Sequence, residues 1–145
     1  MSIEDEIMDK LSEIIETVPG ITTVEQENIK VTIADIRDHE LPYVQLIDDT
    51  QLINHEQGRI RVEWTIYMEL IMKSTQQGIV NQQILRNLRR DIMLALFQNP
   101  NIGIPSVISL KYISNQTDLH VIDEPYFIAR AEFVVEYYDN LTGSC

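Results

Sequence analysis

The side chains in this sequence that could do chemistry are few and far apart. His39, His55 and His120 each stand in a polar stretch, and none has a partner at the spacing metal ligands require. Asp48-Asp49 and the Asp118/His120 pair carry the oxygen donors that hard cations prefer, but no loop signature frames either, and solvated turn residues are the simpler reading. A nucleophile needs a Ser or Cys on a strained turn with a base in reach; the serines here have no glycine frame, and the one cysteine, Cys145, is terminal. The five glycines are spread singly, so no phosphate-cradling or dinucleotide pattern is present. The sequence therefore points to no catalytic residue, no cofactor and no metal. What stands out is a triplet of cations, Arg86, Arg89 and Arg90, in an otherwise acidic chain. Such a triplet serves either as a solvated face paired to residues such as Asp91, or as a basic patch that meets an acidic surface on an identical neighbour.

Charge narrows the classes further. With 23 acids against 11 bases the net charge is −12, which disfavours binding to nucleic acid or anionic membranes through a general basic surface. A single cysteine excludes an intramolecular disulfide and fits a reducing compartment. No stretch approaches the length of a membrane span, and the first residues are acidic where a signal peptide would be basic and then apolar, so a cytoplasmic or particle-borne protein is expected. At 145 residues, one domain over 1–145 is the length-based expectation.

Hydrophobic periodicity supplies the elements. Ile60, Val62, Trp64, Ile66, Met68, Leu70 and Met72 occupy every second position from Arg59 to Lys73, with Ile71 the one apolar residue out of phase. That alternation predicts a long strand with one buried face. Ser2 is placed to cap a helix whose first turn holds Glu4, Asp5 and Glu6 and whose apolar stripe runs through Ile3, Ile7, Leu11 and Ile14 with Ile15 to Val18; Pro19-Gly20 ends it. A second helix is marked by Ile84, Leu85, Leu88, Ile92, Ala95 and Leu96, with Asn81 as its cap and Asn99-Pro100 as its stop. Shorter strands are expected at Ile29 to Ile33 and Pro42 to Ile47, and further strands at Val107 to Ile113 and Tyr126 to Tyr138. Asp35 to Glu40 reads as a charged turn and Asp48 to Gly58 as a polar loop, in which Leu52 and Ile53 can pack on a neighbour. The order predicts an α+β domain: a mainly antiparallel, mixed sheet of four to five strands with two helices on one face.

With these elements in place the layout resembles a known family. The N-terminal amphipathic helix, the Leu41-Pro42-Tyr43-Val44 strand entry, the long alternating strand, the helix ending in Ala95-Leu96-Phe97-Gln98-Asn99-Pro100-Asn101-Ile102-Gly103, and the closing strand from Ala129 to Tyr137 together resemble the tail terminator (tail completion) proteins of long-tailed bacteriophages. The resemblance spans nearly the whole chain and is one of layout. It implies a non-enzymatic virion protein that forms a hexameric ring at the head-proximal end of the tail, stops polymerisation of the tail tube and offers a surface to the head or neck. Partners would be further copies of the chain, the tail tube protein and a head-completion or neck protein, with DNA passing through the lumen unbound. In that setting Arg86, Arg89 and Arg90 are candidates for the subunit interface. Asp48, Asp49, Gln51, His55 and Glu56 in the polar loop, and Asn99, Asn101 and Ile102 after the second helix, are candidates for contact with tube or neck, since loops held by a rigid sheet commonly carry binding. The alternatives are another head-tail connector, neck or tail tube subunit, and, in a different class, a small cytosolic enzyme.

Overall fold

The computed structural model describes residues 2–27, 36–73, 78–121 and 125–139. Helix α1 (Ile3–Glu16) begins where the Ser2 hydroxyl accepts from the Asp5 amide at 3.1 Å, with Glu4, Asp5 and Glu6 in its first turn. Strands β1 (Thr23–Glu27), β2 (Tyr43–Glu56) and β3 (Arg59–Lys73) follow, then helix α2 (Gly78–Phe97) and strands β4 (Val107–Val121) and β5 (Pro125–Asp139). The five strands form one sheet in the order β1-β2-β3-β5-β4, parallel between β1 and β2 and antiparallel elsewhere. The expected α+β fold, with a mainly antiparallel mixed sheet and two helices, is what the chain adopts.

Alternation decides which face the helices cover. Val44 and Leu46 of β2, Val62 to Leu70 of β3 and Phe127 to Tyr137 of β5 send every second side chain to the helix side, where they meet Ile7, Leu11 and Ile15 of α1 and Leu85, Leu88, Ile92 and Leu96 of α2 in one core. Trp64 and Tyr137 sit edge to face at its centre, 6.1 Å between ring centroids. Ala129 and Ala131 are fully buried and small, which lets α2 approach the sheet. Ile71 breaks the alternation for a reason. It belongs to a second, smaller cluster on the opposite face, with Ile36, Tyr43 and Ile128.

Several boundaries differ from the sequence reading. The segment Asp48 to Gly58 is not a loop: β2 continues through it to Glu56, paired with β3 down to Glu56 opposite Arg59, and only residues 57–58 turn. Both its faces lie mostly beyond the helix layer, so polar residues occupy a strand without penalty, and an irregularity between Asp48 and Thr50 breaks the alternation that would have revealed it. β4 likewise runs past Ile113 to Val121, and its side chains from Lys111 to Asp118 are exposed on both faces. Asn81 lies inside α2, which starts at Gly78, and Ile84 is 45% exposed instead of joining the apolar stripe. The expected strand at Ile29 to Ile33 falls outside the described residues; β1 lies just before it. Of the charged turn, the described residues include a 3-10 turn, Asp38–Glu40, and Asp35 lies outside them.

Candidate interaction surfaces

The arginine triplet lies on the flank of α2 that faces β4. Arg89 reaches across to β4, donating to the Thr117 hydroxyl at 3.1 Å and to the Gln116 carbonyl at 3.4 Å. Arg86 donates back to the Gln82 carbonyl at 3.2 Å, while Arg90 is exposed and has no side-chain partner among the described residues. None of the three pairs with Asp91 among those residues. Two turns further, Phe97 stacks on Tyr112 of β4 with centroids 5.8 Å apart, and the Tyr112 hydroxyl donates to the Asn115 side chain. These residues with Met93 and Leu94 line a groove of about 360 Å³. Three guanidiniums beside exposed apolar surface give the groove a lining that is both cationic and apolar.

Along the opposite side of the sheet runs the distal half of β2. β1 covers β2 only from Tyr43 to Ile47, so from Asp48 to Glu56 its outer edge pairs with no strand among the described residues. Asp48, Asp49, His55 and Glu56 are exposed there and Gln51 is half-buried. Two of these acids also have internal work. Asp48 accepts the indole N–H of the buried Trp64 at 2.7 Å, and Glu56 accepts from Arg61 at 2.7 Å. Leu52 and Ile53, 60% and 50% exposed, have no core to join.

The turn after α2 is built differently from a contact loop. The Asn99 side chain accepts the Asn101 amide and that of Asn101 accepts the Gly103 amide, a pair of local bonds that winds the chain tightly. Ile102 adopts φ 48° in this turn, and its side chain is driven into the core, 1% exposed. It is therefore not available for contact, whereas Asn99 is exposed and Asn101 half-buried.

The sheet face away from the helices carries a charge network the sequence reading did not identify. Glu69 is fully buried and accepts from Gln45 at 2.7 Å and from Arg130 Nε at 2.9 Å; the Arg130 guanidinium lies 5.1 Å from the Tyr67 ring. Nearer the hairpin end, Arg61 bridges Glu56 and Glu136, the latter at 2.8 Å, and Lys111 approaches Glu136 at 3.6 Å. Hydrogen bonds to Glu56 and then Glu136 raise the pKa of Arg61 above its ordinary value. The cue was present: Glu69 and Arg130 are directly opposed across β3 and β5, a pairing visible only once register is known. His39 and His55 are both exposed, and the side chain of His120 lies outside the described ones. Among the described residues no three His, Cys, Asp or Glu side chains cluster as metal ligands, and no helix is long and apolar enough to cross a membrane.

No protein-family profile and no curated protein matches this sequence. Among solved structures, a chain from the virion of a native gene transfer agent particle superposes with a TM-score of 0.59 at 10% identity, over 94% of this chain and 95% of that one. At that identity the likeness defines a shared fold, end to end.

Proposed function

We propose that this chain is a structural subunit of a phage-like virion, and within that class a tail terminator: a non-enzymatic protein that closes the head-proximal end of a tail tube as a ring of six copies. The observation that carries the reading is the end-to-end likeness to a chain of a gene transfer agent virion, which covers both chains almost completely. The resemblance in layout to tail terminators supports the finer role and the six-fold ring. An acidic chain suits a lumen through which DNA must pass without being held.

In this reading the groove with Arg86, Arg89 and Arg90 serves contact between subunits. The tip of the β2–β3 hairpin, with His55 and Glu56, and the turn with Asn99 and Asn101 lie toward one end of the sheet and serve contact with the tube or the neck. Asp48, Asp49 and Gln51 lie further down β2, along its uncovered edge and not at that tip. Electron microscopy of the purified protein tests the role: single-layer six-fold rings are expected. Tubes that lengthen without limit would make it a tube subunit instead, and a monomer at every concentration would remove the ring. Infection without the protein should yield filled heads and overgrown or unjoined tails; tails of normal length joined to heads would refute the assignment.

A further inference from the structure

Apart from Ile84 on α2, the large apolar side chains exposed among the described residues gather in two places. Leu52 and Ile53 lie on the distal half of β2, Ile108, Tyr112 and Ile113 on β4, and Leu94 beside β4 on α2. Distal β2 and β4 both present free edge, on opposite sides of the sheet: no strand among the described residues pairs with the outside of either, while β1 holds the outer edge of β2 from Tyr43 to Ile47. Long free edges with apolar residues on both faces are unstable as solvent surface and are ordinarily blunted by charge, proline or cover.

The two edges are complementary in three respects. In direction, β2 runs with β5 and against β4, so copies set side by side with their sheets continuous bring β2 antiparallel to the next copy's β4. In level, the ladder runs Ile53–Val62–Tyr137–Val107 and Thr50–Thr65–Val134–Lys111, which puts Leu52 and Ile53 level with Ile108 and Asp49 level with Lys111. In charge, Asp48 and Asp49 stand on one edge, while Lys111 and the arginine groove stand on the other. From these matches we infer that the partner of the β2 edge is a second copy of this chain, joined by antiparallel pairing of residues 49–54 with the first half of β4, so that the sheet continues from subunit to subunit. The contact is heterologous, each copy using one edge on either side, so it joins copies head to tail instead of as a closed pair and makes a ring where the rotation between copies closes. Ile53 then lies on the helix-side face toward the Phe97–Tyr112 end of the neighbour's groove, and Leu52 on the opposite face. The inference rests on the ring reading and adds which surfaces close the ring.

The test pairs disruption with cross-linking in the full chain. Leu52→Lys with Ile53→Lys, and separately Ile108→Lys with Ile113→Lys, should each reduce the mass seen by light scattering from that of the ring to that of one chain, with melting of the subunit retained. Because these variants can also fail by unfolding, Leu52→Cys with Ser109→Cys is made in a Cys145→Ser background. Mild oxidation should yield a ladder of covalent multimers up to the ring, and each single-cysteine control should yield none. If the wild type associates but the lysine variants associate equally, or the cysteine pair gives no ladder, the edge pairing is wrong and the ring reading stands. A wild type that is monomeric at all concentrations overturns both.

Discussion

The sharpest test of the energetics is Arg130→Met. Glu69 is fully buried on the sheet face away from the helices, and Arg130 donates to its Oε2 from both Nε and Nη2. Removing the guanidinium while keeping its aliphatic bulk leaves a carboxylate in the sheet with its main cation gone, a change that costs about 3–5 kcal/mol for buried pairs. Two features place this case at the low end. Gln45 still donates to Oε1 at 2.7 Å, and the Arg130 side chain is 31% exposed, so water can reach part of the vacated space. The expected loss is about 3 kcal/mol, equivalent to a fall in Tm of roughly 6–12 °C for a chain of this size. Urea denaturation of the wild type, Arg130→Met, Glu69→Met and the double variant measures it. The double variant should be less destabilised than the sum of the singles, because it removes the stranded charge along with its partner. A loss below 1 kcal/mol in Arg130→Met, or simple additivity, would show that Glu69 does not depend on this pair.

Further outcomes follow from the core. Leu88→Asp places a charge among the apolar side chains between α2 and the sheet and should cost several kcal/mol or prevent folding, whereas Ile92→Ala should cost about 2–5 kcal/mol by cavity formation, both read by chemical denaturation. Asp48→Ala should cost about 1–3 kcal/mol, because the Trp64 indole N–H, in a side chain 1% exposed, loses its acceptor; tryptophan fluorescence and urea titration report both changes. The Tyr137 hydroxyl is buried with no hydrogen-bond partner among the described residues, so Tyr137→Phe should leave stability within about 1 kcal/mol of the wild type at neutral pH. Burial, then the charges of Glu4, Asp139 and Asp48, raise the Tyr137 pKa above its ordinary value of 10.0. Its neutral form is thus the folded one. Stability should be insensitive to this group below about pH 10 and fall above it as the unfolded chain ionises first, and Tyr137→Phe should flatten that alkaline decline in pH-dependent melting.

The sequence reading succeeded where one face of an element is buried over its whole length. The β3 alternation and the α1 stripe are direct imprints of a two-layer core, and β5 ends within one residue of its expected limits. It failed where burial on one face stops. Distal β2 and β4 from Ser114 to Asp118 have little burial on either face, so Asp48 to Glu56 and Ser114 to Asp118 have the composition of loops; only backbone pairing with β3 and β5 makes them strands. Ile102 was misplaced because its inward direction comes from a left-handed turn, which neighbouring asparagines and Gly103 suggest but do not orient. The arginine groove was half legible: the cations stand out in an acidic chain, but Tyr112 and the β4 carbonyl that fix its other wall are 22 residues or more beyond Arg90 in sequence.

The irregularity between Asp48 and Thr50 has a consequence for chain length. Deletions inside a strand ordinarily turn every later side chain over, because successive residues point to opposite faces. Here Asp48 already faces Ile66 and Thr50 already faces Thr65, consecutive partners on β3, with Asp49 left outside the ladder. Losing that one residue would join the two stretches of ladder without moving any pair beyond it, and what would change is the local twist a bulge imposes. Pairing and curvature of this hairpin are thus governed by separate features of the chain, and position 49 is where its bend can be altered while its partners stay the same.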